Sequence, residues 1–360
     1  MLGLEKIRNM SVTWFSFNLA TSAVALSTFA IGIVTKFPFL FALTKFISAI
    51  NTVVFIIIAV LYTIRVLLVR SKFIKELMHP MKGPMMSVIG IATMVLAIDW
   101  GLVFHNMSVA FLFFISGAII HTVFFVIILY AFIVHPGLEV QMMNAGWYMP
   151  AVGNVLVPYV GSMFGHMIPP SVLGIYLGTG VIMWLALFAI WLYRSLFHSP
   201  PPSEMWASAW INFAPPSVAA LSYEALLGLG PREFHKLMML HNTLATKLAL
   251  TMFNLFYYTF WGLAGLLLPV VIVVTLHYWR TGQLRFATSW YASVFPLAAY
   301  VIATVHLFMH SPGEIWLVWY AEALYALMWF FYVVVTTLSL IYGLDEIRGK
   351  TPPPVAEPLE

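Results

Sequence analysis

The chain has 360 residues, of which 62% are hydrophobic and only 8% charged, against the roughly 25% charged residues of a soluble protein. So few charges cannot cover a water-facing surface, which argues against a soluble enzyme, a nucleic-acid-binding domain and a disordered protein. There is no cysteine, so disulfides, thiolate metal sites and iron–sulfur clusters are excluded.

A membrane-crossing helix needs about 20 mostly apolar residues. In chain order, ten stretches meet that requirement: 11–35, 43–69, 83–104, 109–134, 147–165, 171–197, 211–229, 246–278, 288–309 and 314–342. The first is too long for a signal peptide and no small-residue cleavage pattern follows it. The reading is an all-α membrane protein with one transmembrane domain, 1–342, and a disordered tail, 343–360, that carries Thr351-Pro352-Pro353-Pro354. Residues 231–250 are expected to begin as an amphipathic surface segment that leads into the eighth span. No ATP-binding motif is present.

Ten crossings put both termini on one side, and Lys and Arg decide which. With the termini inside, the inner set is Lys6, Arg8, Arg65, Arg70, Lys72, Lys75, Lys82, Arg194, Arg280, Arg285, Arg348 and Lys350, and the outer set is Lys36, Lys45, Arg232, Lys236 and Lys247. The bias predicts cytoplasmic termini. With no organelle signal visible, the cell (plasma) membrane is the expected location.

The odd-numbered spans begin near residues 11, 83, 147, 211 and 288, a spacing of one helical hairpin that suggests internal repeats. They share proline, glycine and hydroxyl residues. The third opens after His79-Pro80 with Pro84, and the fifth carries Pro150, Gly153, Asn154, Pro158 and Gly161. The seventh begins Phe213-Ala214-Pro215-Pro216-Ser217, and the ninth holds Phe295-Pro296. The even spans are longer and bulkier, as in Met328-Trp329-Phe330-Phe331-Tyr332. Proline inside a helix frees a carbonyl, which in a membrane must face protein or a water-filled cavity. Small and polar residues belong at helix contacts or pore walls. The expectation is an inner ring of five kinked odd helices within an outer ring of five long even helices; an irregular bundle is the alternative.

Three motifs in order, Trp147-Tyr148-Met149-Pro150-Ala151-Val152-Gly153-Asn154, Ala214-Pro215-Pro216-Ser217-Val218-Ala219 and Ser289-Trp290-Tyr291-Ala292-Ser293-Val294-Phe295-Pro296, resemble those of the tellurite-resistance/dicarboxylate transporter family. Its members include a plant slow anion channel, bacterial tellurite-resistance channels, a yeast malate permease and fungal sulfite efflux pumps. The resemblance implies five tandem hairpins around a quasi-fivefold central pore, a homotrimer with one pore per subunit, and small anions or C4-dicarboxylates as substrates. It also implies that Phe295, just before Pro296, plugs the pore, and that Lys82 stands at the inner mouth. The asparagine and aromatic pair that the family carries after that basic residue are replaced by Gly83-Pro84-Met85-Met86.

The residues themselves bear on the same reading. A ring across a narrow pore blocks ions by excluding water, which Phe295 would do; otherwise it is one of 29 phenylalanines. All five odd helices start inside, so their N-termini direct partial positive charge toward the inner mouth, where Lys82 adds to it. Otherwise Lys82 only sets topology. Asp99, Glu224 and Glu322 fall within spans, where an ionisable group is a functional candidate. Glu224 is expected to pair with Lys247 as a structural couple, with proton coupling as the alternative. Glu322 is expected to face a neighbouring subunit. No metal or cofactor is implied. A haem held by histidines such as His121 and His306 is a further class, although most of the eleven histidines, among them His105, His241 and His310, belong at predicted membrane interfaces. The function read here is an anion channel or transporter rather than an enzyme; a proton-coupled carrier for malate or sulfite is the alternative.

Overall fold

The computed structural model describes residues 2–240, 243–284 and 286–347. His241, Arg285, Arg348 and Lys350, and the greater part of the expected tail (348–360), lie outside the described residues.

Helices dominate, and no strand occurs among the described residues. In order they are α1 (Trp14–Thr35), α2 (Pro38–Leu68), α3 (Ser87–Ile98), α4 (Met107–Val134), α5 (Met149–Gly161), α6 (Pro170–Phe197), α7 (Ala214–Leu226), α8 (Leu244–Arg280), α9 (Val294–His310) and α10 (Trp316–Ile347). The short helices Leu2–Arg8, Arg70–Leu77, Ser203–Trp206 and Pro231–Leu240 lie between or before them. The last of these fulfils the amphipathic expectation for 231–250, and α10 continues past residue 342, where the tail was expected to begin.

Among the described residues, eight helical stretches are long and apolar enough to cross a membrane, α3 and α9 only together with their adjoining 3-10 and π turns (Gly83–Val103 and Thr288–His310). The stretches around α5 and α7, helices of 13 residues each, do not meet that requirement, and these helices are shorter than the expected 147–165 and 211–229. The rest of those stretches is 3-10 helix: Ala145–Tyr148 and Ser162–Met167 flank α5, and Ala207–Phe213 precedes α7. Both helices are buried along nearly their whole length. Neighbouring protein rather than lipid surrounds them, so the requirement for a full-length apolar α-helix does not apply.

Burial separates the two sets. Of the most apolar window in α1, 78% is buried, against 33% in α2 and 17% in α10. α1 packs on α3, α3 on α5, α5 on α7, α7 on α9, and α9 returns to α1; each even helix packs on the odd helix before it. The inner helices are buried on nearly every side, and their polar groups, such as Asn18, Ser22, Asn154 and Glu224, are buried with them.

Proline placement explains where the inner helices start. Pro150 is the second residue of α5, Pro215 and Pro216 are the second and third of α7, and Pro296 is the third of α9. The first-turn N–H groups of a helix have no intrahelical acceptor, so proline is tolerated there. These prolines mark the junction where a 3-10 turn becomes α-helix. Among the inner helices Pro158 sits in a helix interior, within α5, and its own carbonyl accepts from Ser162 Oγ at 2.7 Å; of the outer helices, α8 carries Pro269 in its interior.

α7 ends on Gly228, at φ +62°. The Leu229 N–H reaches back to the Glu224 carbonyl at 3.1 Å, a helix stop that needs the left-handed conformation glycine adopts freely. This stop turns the chain toward Pro231–Leu240 directly beside Glu224.

Candidate functional site

Two cavities lie between the odd-numbered helices. The narrow one, about 30 Å³, is lined by Ala23 and Leu26 of α1, Val95 and Ile98 of α3, Leu156 and Tyr159 of α5, Val218 and Leu221 of α7, and Phe295, Ala299 and Ile302 of α9. On four helices the pair is three residues apart, one helical turn, so each helix turns one face inward. No charged residue lines it.

The second cavity, about 690 Å³, lies at the C-terminal ends of the same five helices. Leu26, Ile98, Tyr159 and Ile302 line both, so the two are stacked end to end. Phe295 lines only the narrow one, from the first turn of α9, and is 8% exposed. It therefore stands at the end of the narrow cavity remote from the wide one.

Polar groups on the inner helices mostly turn away from this space. Asp99, at the start of a π-helical turn (Asp99–Val103), is fully buried. It accepts from Ser22 Oγ at 2.6 Å and Ser48 Oγ at 3.1 Å. Asn51 extends the network, donating to Ser22 Oγ at 2.8 Å and accepting from Asn18 Nδ2 at 3.0 Å. Three helices are joined this way with no cation in the network. Asn154 is likewise buried and meets His121 Nε2 at 3.0 Å. None of Pro150, Asn154, Pro158, Pro215 and Pro216 lines either cavity.

Glu224 does not pair with Lys247, which is exposed near the start of α8. The carboxylate is 3% exposed and meets His306 Nδ1 at 2.9 Å, with His310 Nε2 at 3.8 Å. The reason lies in the packing: α7 lies directly against α9, and one turn separates the two histidines, so both reach the same carboxylate. The spacing of His306 and His310 was visible in the sequence, but their partner was not. His121 and His306 serve different neighbours, Asn154 and Glu224.

Lys82 is exposed and precedes the 3-10 turn Gly83–Met86 that leads into α3, at the opposite end of that helix from the wide cavity. Glu322 is exposed on α10. Tyr159, which lines both cavities, escaped the sequence reading because α5 is buried nearly all round and no face stands out.

The voltage-dependent anion channel family (SLAC1) matches residues 9–340. Two proteins of Methanocaldococcus jannaschii are similar over nearly their whole lengths. Uncharacterized transporter MJ0762 is 27% identical, covering 96% of this chain and 98% of the relative. Uncharacterized transporter MJ0576 is 26% identical, covering 96% and 97%. A family match across almost the entire chain, together with many apolar spans, makes this a multi-pass membrane protein that belongs to the voltage-dependent anion channel family.

Proposed function

We propose that the chain moves small anions through a pore running between α1, α3, α5, α7 and α9, with Phe295 as its constriction. The carrying observation is the apolar space of about 30 Å³ to which all five of these helices contribute and which Phe295 bounds. A hydrated ion cannot enter so small a dry space, so conduction requires the ring to move, as in hydrophobic gating. Pro296 supports this role by fixing the backbone next to the ring.

In this reading the ten helices form five hairpins with quasi-fivefold symmetry, all crossing the membrane, with both termini cytoplasmic. The N-terminal ends of the odd helices and Lys82 then favour anions at the inner mouth, and the wide cavity opens outward. An exposed Glu322 within the apolar span of α10 is expensive against lipid, which favours an assembled form such as a homotrimer. Chloride-sized anions and C4-dicarboxylates are the substrate classes, and no chemistry on them is proposed.

The test is current across a planar bilayer holding the purified protein under a chloride gradient, wild type beside Phe295→Ala. The expected result is a several-fold larger current in the variant that reverses near the chloride equilibrium potential. Equal currents would remove Phe295 as the gate. Silence in both, with folded protein, would point instead to a slow carrier, to be followed by malate or sulfite uptake.

A further inference from the structure

The wide cavity is an unfavourable place for an anion as it stands. The C-terminal ends of all five odd helices meet there, and each directs partial negative charge toward it. Glu233 lines its wall, and no Lys or Arg does. Glu224 lies behind the wall, 3% exposed, with Oε2 lacking any hydrogen-bond partner. Positive charge can come only from histidine: His306 lines the cavity, and His310 sits one turn further on against the same carboxylate.

We propose that Glu224, His306 and His310 form a proton-charged binding site for a small anion in the wall of the wide cavity. The site rests on the reading of the two cavities as an anion path. His306 spends Nδ1 on Glu224, which leaves Nε2 as the ring's other donor. With one proton shared, the cluster is neutral and the helix ends repel an anion. With both imidazoles protonated it carries one net positive charge, and the Nε2–H of His306 can donate to the anion. The last turn of α9, where these histidines sit, is also where a helix best accommodates a cation.

No Lys or Arg lines the surroundings. From α5 comes Tyr159 and from α8 Tyr257, whose hydroxyl donates to the Ala303 carbonyl at 2.9 Å. The helix Pro231–Leu240 contributes Glu233 on the cavity wall and His235, whose Nε2 meets the Met309 carbonyl at 3.0 Å. Phe234 of the same helix packs on the His310 ring at 4.8 Å, and His310 Nε2 also meets the Leu229 carbonyl at 3.2 Å. α1 lines the cavity with Leu26, Phe29, Ala30 and Ile33 alone, α3 with Ile98, and the π-helical turn after α3 with Leu102. Asp99, beside Ile98, is engaged by Ser22 and Ser48. On this wall Glu233 adds a carboxylate, and imidazoles, which ordinarily titrate near about pH 6.5, are the groups that can add positive charge: His306 and His310, with His235 beside them.

Two measurements test the site with chloride as the probe. The first is thermal unfolding of the purified protein at about pH 5.5 and about pH 8, on either side of the histidine range, with and without chloride. Chloride should raise the midpoint at the lower pH only, because it binds the folded state alone, and His306→Gln, which keeps a donor for Glu224, should lose that shift. The second is current through Phe295→Ala as the wide-cavity side is acidified over the same range. It should rise several-fold, stay flat in Phe295→Ala/His306→Gln, and be high at both pH values in Phe295→Ala/His306→Arg. A chloride shift or an acid response that survives His306→Gln overturns the site. Phe295→Ala that passes no chloride at any pH, beside an intact His306-dependent shift, overturns the pore reading and leaves the site standing.

Discussion

His121 of α4 lies against Gly153 of α5, its Nε2 3.0 Å from the Oδ1 of Asn154, the next residue. A Cβ on Gly153 would fall on the imidazole ring itself. The glycine is therefore a slot for a fully buried side chain, a helix contact of the kind expected of the small residues in this span.

Gly153→Ala should destabilise the protein by about 1–3 kcal/mol, the range for overpacking a tight core, even though alanine is the better helix former. Thermal unfolding in detergent checks this. In the double variant with His121→Ala, the two losses should fall short of their sum because the clash disappears. Full additivity would show that the ring and the glycine do not interact.

Arg65 closes α2 onto the helix Arg70–Leu77. Its Nη2 lies 2.5 Å from Glu76 Oε2, and Nη1 donates to Tyr62 Oη at 3.2 Å. Arg65→Met should cost about 2 kcal/mol. That is below the 3–5 kcal/mol of a fully buried pair, because Glu76 is 19% exposed and reaches water. Hydrogen exchange at 70–77 should accelerate more than in α3, and unchanged exchange there would show that the pair does not hold the surface helix.

Asp99 is a structural acceptor for two serines, so shape matters more than charge. Asp99→Asn preserves polar contacts to Ser22 and Ser48 and should unfold within a few degrees of wild type. Asp99→Leu strands buried hydroxyls and should cost about 1–3 kcal/mol. Equal losses in unfolding measurements on both variants would assign the stabilisation to the carboxylate's charge instead.

At the turn before α3, the Met81 N–H donates to His79 Nδ1 at 3.1 Å, which requires that nitrogen to be unprotonated. Desolvation in the turn, then the charges of Lys82 and His135, hold the imidazole below its ordinary value. A folded value below the unfolded one means that this contribution is present above about pH 6.5 and is lost as pH falls through the lowered folded value. An NMR titration of His79 should give a midpoint below about 6.5; a midpoint at or above it would contradict the bond to Met81.

Much of the site was legible in part. The Phe295-Pro296 pair stood out by position, and it does lie beside the narrow cavity. The prolines 150, 215 and 216 stood out too; that they stand in the first turns of their helices was not legible, because a sequence shows a proline but not which turn it occupies. Glu224 was marked as costly in a membrane. Its partner His306 lies 82 residues away, and nothing local distinguishes it from Lys247.

The sequence alone determined the solvent of this protein. Low charge and long apolar runs leave too little polar surface to face water, so a membrane is the medium in which the apolar spans can sit, and the uneven placement of Lys and Arg fits such spans. It also separated the small, proline-marked odd helices from the bulky even ones, because that contrast is compositional. Only the tertiary structure decided which face of each inner helix turns inward, since helices buried on nearly every side have no solvent-facing side to orient them. The return of α9 to α1, the shortness of α5 and α7, and the meeting of Glu224 with two histidines likewise follow from which helices touch, and that is a property of the packed chain.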